Sequence, residues 1–516
     1  MPLFVLNNSH SGQIPAQRLT HIVTDYRAIA TVSLLLSLWL VLIDPVSNRD
    51  AILYLRTAEA FLNDGFWASF ATFDRPLVPI IFALIHKLTG LSLLHSGQVF
   101  TTLIYIALSL SFVRAIKELG GNAQVQAIAV VIILTHPIIN SYRTAIMRDP
   151  GYWTFCILAM VELLRFSRSP SLTGQLRWTL YMGLAILFRF EGTLLALLTP
   201  LALYFTMDTS PLKRLRYALQ LQLPAIVVAA VGISALGLDN QNTLLPHINN
   251  YSNNLWFFSD VIDDIALRTG PELLKGSAIE HARVAVFGGL IAIFLLNVVM
   301  AMQIVHGLVL LLGWRRGWLL RINADARVIL NAHIAVCGLY LLIFTFSNQF
   351  MLERYAAQMV IFLLIYASFA AQGLWSEVRS SVLFRSGLIL ILLVLILDLL
   401  HNFNYRKAYL ADATRWIQEN TPADTTLLAS DKHIAYFSRR HIDWAIEQNL
   451  SIPAIMATGQ WRSHQYLALA LKRHQLVDLE LIAAEPALKT LKSFSNDRLD
   501  TVIVIENLRY QPTAPP

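Results

Sequence analysis

The side chains able to do chemistry in this chain are few. They are the acids Asp44, Asp50, Asp149, Glu191 and Glu353, and the arginines Arg143, Arg148, Arg189 and Arg354. A carboxylate within hydrogen-bond reach of a hydroxyl or amine can take its proton. An arginine offers a planar fork of donors that matches phosphate oxygens. Each residue also has an ordinary reading. Arginines at helix ends snorkel and pair with neighbouring acids. Ser47-x-x-Asp50 has capping-box spacing, and an acid in a first helical turn is favoured by the dipole. Asp44, just before Pro45, reads as a polar span end. Alone, Asp50 reads as a cap, but four arginines beside the acids Asp149, Glu191 and Glu353 read as a site for an anionic group.

The elements that must hold these residues are membrane helices. The chain has 516 residues, of which 56% are hydrophobic and 14% charged, against roughly 25% charged in soluble proteins. The net charge of +7 then reflects loops flanking spans rather than nucleic-acid binding. Cys156 and Cys337 sit inside apolar runs and imply no disulfide framework. A span needs about 20 apolar residues. Spans are expected near 26–44, 97–116, 122–140, 150–167, 175–189, 191–207, 217–237, 284–312, 328–347, 354–373 and 382–400. Alternate connections carry the basic residues: Arg114 and Lys117; Arg165, Arg168 and Arg177; Lys213, Arg214 and Arg216; Arg315, Arg316, Arg321 and Arg327; Arg379 and Arg385. The positive-inside rule makes these cytoplasmic. They share one side if the N-terminus is inside and the spans number eleven.

That orientation gives a cytoplasmic segment 1–25, a membrane domain 26–403 with outer loops 45–96 and 238–283, and an outer domain 404–516. All the candidate residues then face outward. After Asp50, Tyr54 and Ala58 follow at helical spacing on one face, and Gly65 is a plausible stop. "RPLVPIIFALIHKLTG", interrupted by prolines, His86 and Lys87, suits an interfacial helix better than a span. Asp260, Asp263 and Asp264 stand beside "LWFF" in the second long loop, which reads as a cover over a cleft. Beyond residue 405, "TTLLAS", "LELIAA" and "TVIVIE" read as strands, with "SHQYLALALKRH" as a helix between them. These make a small α/β domain.

With these residues in view, the first loop resembles that of the GT-C superfamily of polytopic glycosyltransferases. The likeness is to bacterial relatives of protein O-mannosyltransferases and lipid A aminoarabinose transferases. It rests on Asp50, Tyr54, Ala58, Gly65 and "RPLVPIIFALIHKLTG", with "MRDPGYW", "LFRFEGTLLAL" and "LERYAAQMVIFLL" similar to later family stretches. The resemblance implies a polyprenyl-phosphate sugar donor, inversion by single displacement, and a glycan, lipid or protein acceptor. By the same analogy Asp50 is the base and Asp149 a second essential acid. Asp44 is the alternative base, and Tyr54, Arg143, Arg148, Arg189, Glu191 and Arg354 bind substrate. It also places the protein in a bacterial inner membrane with its site facing the periplasm, and "DKHIAYFSRRHIDW" looks like the family's strand-turn region.

The cofactor is left open: a divalent ion is compatible with the resemblance, but no short ligand spacing appears and no metal ligand is named, and His136, His281 and His433 have weak claims. No Gly-rich nucleotide loop appears, as a lipid-linked donor requires none. Glu162 and Arg165 are spaced to pair, and Asn250-Tyr-Ser252 matches a glycosylation sequon. The competing reading is a transporter or flippase of a lipid-linked envelope precursor. Paired halves would support it, but no internal repeat is visible and the acids gather at one surface. A structural partner of an envelope complex is a further reading, and it leaves the four arginines unexplained.

Overall fold

The computed structural model describes residues 22–44, 46–237, 258–401, 406–444 and 451–510. The "LWFF" stretch up to Phe257 and the sequon at Asn250 lie outside them. Among the described residues six helices are long and apolar enough to cross a membrane: Tyr26–Ile43, Leu93–Glu118, Gly276–Met302, Ala324–Asn348, Glu353–Val378 and Val382–Leu400. The chain is an integral membrane protein. Four shorter apolar helices accompany them: Leu77–Thr89, Ala123–Thr135, Gly192–Thr206 and Ile304–Arg315. The remaining stretches expected to span form the helices Asp149–Arg168, Leu172–Phe188 and Pro211–Gly237. The run 284–312 is not one rod. It breaks at Gln303, whose φ of 61° lies in the left-handed region, so an apolar run alone did not reveal two helices.

Glu353–Val378 lies at the centre of the bundle, its face from Ala356 to Ala370 almost wholly buried. Val382–Leu400 buries no side chain, as expected of a peripheral helix whose other surface is lipid. Small residues set the closest approaches. A Cβ on Gly151 would meet the Phe188 ring at 2.1 Å. Gly151 is two residues beyond Asp149 and Phe188 precedes Arg189, so this contact brings those two charges together.

The C-terminal sheet has the order β1-β2-β4-β3, with β1 Leu427–Ala429, β2 Tyr466–Leu471, β3 Leu488–Ser495 and β4 Thr501–Asn507. β1 runs parallel to β2, and the other pairs are antiparallel. The α/β character holds, but two elements exchange type. "YLALAL", rich in helix formers, is the central strand β2, because burial on both faces overrides propensity. "LELIA" is a short helix whose Ile482 is buried in one cluster with Leu467, Leu469 and Ile505 of the sheet. "KHIAYF" within the expected strand-turn region is also helical.

This domain is fastened to the first loop. Arg49 pairs with Asp431 at 3.3 Å, the Tyr436 hydroxyl donates to Glu59 at 2.5 Å, and the Arg56 guanidinium lies 3.9 Å from the Trp444 ring centre. Val46 enters the domain's own core beside Tyr409, Leu410 and Ile434.

Candidate active site

The first-loop helix runs Arg49–Asp64 and stops at Gly65, whose φ of 89° a side chain would resist. Its cap position is Asn48, not Ser47, and no side chain caps it. Asn48 instead accepts from the Ile146 amide at 2.9 Å and donates to the Ile146 carbonyl at 3.2 Å. This latch joins the first loop to the segment carrying Arg148 and Asp149. The capping-box reading of Asp50 therefore fails. Its Oδ2 accepts from Arg354 Nη1 at 2.9 Å, and 46% of its side chain stays exposed, against 26% for Arg354.

Tyr54, one turn on, is buried against Phe73 with ring centres 5.4 Å apart. Burial raises its phenol above the usual range, and the nearby carboxylates Asp149 and Asp50 add to this against the pull of Arg148. The hydroxyl thus stays protonated beside Arg148. Arg148 also lies over the Phe73 ring at 5.2 Å.

Asp149 opens the helix Asp149–Arg168, with Pro150 in the first turn, where the dipole favours an acid. Arg189 bridges Asp149 and Glu191, each at 2.5 Å, and all three side chains are about nine-tenths buried. Tyr340 donates to Glu191 at 2.8 Å. The Tyr355 ring links both ion pairs: Arg189 lies 5.3 Å and Arg354 5.0 Å from its centre, and Arg354 Nη2 donates to its hydroxyl at 3.1 Å. The space that Asp149, Arg189, Tyr340, Arg354, Tyr355 and Gln358 enclose is only about 10 Å³. No sugar fits there, so this core supports a site that opens on the Asp50 side.

Asp50, Tyr54, Arg148, Asp149, Arg189, Glu191 and Arg354 therefore gather into one constellation. Arg143 does not join it. Fully buried, it donates to Asn140 Oδ1 at 2.6 Å, to Ser37 Oγ at 2.8 Å and to Ser33 Oγ at 3.1 Å, with its guanidinium 4.6 Å from the Tyr105 ring centre. Its donors are spent on the first span, which makes it a latch between helices. Asp44 faces a different cavity, with His433. Arg354 takes Asp50 rather than its chain neighbour Glu353. Tyr340, Tyr355 and Gln358 complete the cluster without having been anticipated. Only Tyr355, adjacent to Arg354, carried a local signal. Among the described residues no three His, Cys, Asp or Glu side chains are placed to hold a metal ion. The carboxylates of the cluster are bound to arginines instead.

Three buried polar atoms here have no hydrogen-bond partner: Arg354 Nε, Arg148 Nη1 and Glu191 Oε2. A buried donor left unmatched costs about 1–3 kcal/mol. Two unmatched arginine donors beside a half-exposed carboxylate suit an anionic ligand with a proton to be removed nearby.

No family model matches the sequence, and no curated protein matches it. Solved structures are similar in fold. ArnT from Cupriavidus metallidurans in the apo state has a TM-score of 0.45 at 13% identity, over 97% of this chain and 100% of that one. The same protein bound to undecaprenyl phosphate has a TM-score of 0.43 at 14% identity, over 95% and 98%. The oligosaccharyltransferase of Archaeoglobus fulgidus, in complex with zinc and sulfate, has a TM-score of 0.47 at 12% identity, over 86% and 68%.

Proposed function

We propose that this protein is a membrane glycosyltransferase. It moves a sugar from a polyprenyl-phosphate donor to an acceptor at the outer face of the membrane. The observation that carries the reading is Asp50, half exposed and oriented by Arg354, beside the unmatched arginine donors. The acceptor hydroxyl or amine attacks the anomeric carbon while its proton passes to Asp50. The bond from that carbon to the phosphate oxygen breaks, and polyprenyl phosphate leaves with its charge held by Arg354 and Arg148. Attack opposite the departing phosphate inverts the centre. Phosphate is already a good leaving group, so charge stabilisation matters more than an acid. Asp149 holds Arg189 in place and so fixes Tyr355 against Arg354. The lipid tail lies in the bilayer while its head reaches this end of the bundle, taken as the periplasmic face of an inner membrane. The eleven-span arrangement and the boundaries 26–403 and 404–516 belong to this proposal.

The test is mass spectrometry of envelope glycans and lipids from cells with and without the protein. The expected result is loss of one sugar residue from a defined glycan, lipid or protein, restored by the wild-type chain but not by Asp50→Asn. An unchanged inventory, with a lipid-linked precursor stranded on one leaflet, would instead make the protein a transporter.

A further inference from the structure

A second cavity lies where the first loop meets the C-terminal domain. It measures about 270 Å³, and Asp44, Gln98, Ala411, Gln418, His433 and Phe437 are among the residues that line it. Its wall comes from four separate parts of the chain: the end of the first span with the start of the first loop, the helix Leu93–Glu118, Thr144 in the segment before Asp149, and the C-terminal domain. The volume is just under the roughly 300–1,000 Å³ typical of small-molecule pockets, which suits one sugar-sized ring and no lipid chain.

The lining favours a neutral polyol over an anion. Asp44 and Arg415 both line it, so neither sign of charge prevails. Gln418 donates to the Phe437 carbonyl at 2.6 Å, which leaves its own amide oxygen able to accept. Phe437 presents an aromatic face, and His433 packs on it with ring centres 4.6 Å apart. His433 is 7% exposed, yet its Nδ1 has no hydrogen-bond partner. A buried ring nitrogen left unmatched in a polar cavity needs a partner that protein does not supply. We infer that this cavity binds the hydroxyl-rich ring of a sugar-bearing acceptor, with Asp44, Gln98, Gln418 and His433 as its hydrogen-bonding residues and Phe437 as its floor. Ser47, three residues before Asp50 and just outside its helix, lines the same cavity. A ring held there sits next to the acceptor side of the proposed reaction. The assignment of the ring to an acceptor rests on the proposed function, but the site itself does not.

The experiment is saturation-transfer NMR on the full chain in lipid nanodiscs, without donor. The probes are methyl glucoside, methyl mannoside, N-acetylglucosamine and, as the anionic arm, inorganic phosphate. The expected result is saturation of at least one neutral pyranoside, which an excess of inorganic phosphate, added as competitor, does not displace. Ala411→Trp, which fills the cavity, should abolish the signal. Gln98→Ala and His433→Phe should weaken binding by roughly tenfold or more. Glu118→Gln, in the ion-pair cluster with Arg165 and Arg168, should leave it unchanged. Absence of saturation by every pyranoside, or binding indifferent to both Ala411→Trp and Gln98→Ala, overturns the inference. Gln98 stands on a membrane helix outside the C-terminal core, so its variant answers even if Ala411→Trp misfolds. Since turnover is not measured, this result and the envelope inventory can fail independently.

Discussion

Two clusters of arginine and carboxylate sit at opposite ends of the bundle, and they are built differently. At one end Glu118 accepts from Arg165 and from Arg168 at 3.1 Å, while Glu162 pairs with Arg165 at 3.2 Å and with Arg114 at 3.8 Å. The pairing of Glu162 with Arg165 is the one their spacing predicts. None of these side chains has a buried polar atom without a partner. At the other end, Arg354 Nε, Arg148 Nη1 and Glu191 Oε2 lack partners, and Asp50 faces solvent. A network that satisfies itself needs only to hold helices together. One that keeps donors in reserve stores recognition capacity at a cost in stability.

The largest effect that separates the two is catalytic. Asp50→Asn keeps the side chain's size and its hydrogen bond from Arg354 but removes the base. Sugar transfer should fall about 10²–10⁴-fold with expression near normal, whereas Glu118→Gln should leave transfer within a few-fold. Comparable losses in both would show that the distinction between the clusters is wrong. Activity of Asp50→Asn near wild type would shift suspicion to Asp44.

Next in size is stability. Replacing Arg189 by Leu strands two carboxylates, Asp149 and Glu191, each about nine-tenths buried. Breaking one partner out of a buried pair typically costs about 3–5 kcal/mol. Arg168→Leu at the other end, where 51% of the arginine side chain is exposed, should cost less than about 1 kcal/mol. Thermal unfolding in detergent compares them. Equal midpoints would deny that Arg189 holds the inner wall of the site.

What could be read from the sequence followed from periodicity. The stripe of Tyr54 and Ala58 is buried as helical spacing requires, and Gly65 ends the helix. The four arginines stood out because they sit where charge distribution disfavours them, and three of the four do meet at the cluster. Arg143 did not, because its use is decided by Ser33 and Ser37 on a helix more than 100 residues earlier. The pairing of Asp50 with Arg354 spans 304 positions, and no local pattern encodes such a contact. Asp50 looked like a cap for the same reason: Asn48 is diverted to Ile146, a partner visible only in three dimensions. In the C-terminal domain, "YLALAL" scores as helix until its burial between β1 and β4 is known.

A change of pH probes the joint between the membrane part and the C-terminal domain, since neither arginine cluster contains a histidine. Burial lowers His433 from about 6.5 to about 4, and Lys407 adds to this against the pull of Asp431 and Asp44. The unfolded chain therefore takes up a proton that the folded one refuses between pH 6.5 and 4. Stability is fully present above the unfolded value and falls as pH drops through that window, by up to about 3 kcal/mol from this group. His464, also lowered by burial, should contribute in the same direction. The unfolding midpoint of His433→Phe should depend on pH less steeply than that of the wild type, though not be flat. A wild-type midpoint constant from pH 7 to 4.5 would refute the prediction.

The smallest effect concerns Arg49, the neighbour of Asp50 in sequence. The two side chains diverge: Asp50 turns to Arg354 in the bundle, while Arg49 reaches Asp431 in the C-terminal domain. Arg49 is 67% exposed, so its pair with Asp431 should be worth less than about 1 kcal/mol. The Tyr436–Glu59 hydrogen bond, the Arg56–Trp444 contact and the buried Val46 also hold the two parts together. Arg49→Ala should therefore move the unfolding midpoint by no more than about 3 °C and leave transfer within a few-fold. Arg354→Lys, which keeps the charge but loses the fork, should weaken binding of a short-chain polyprenyl-phosphate analogue with little change in the midpoint. If Arg49→Ala weakened that binding as much as Arg354→Lys does, the anion would have to be reached from the C-terminal domain's side of the helix, and the reserve of donors around Arg354 would not be what recognises it.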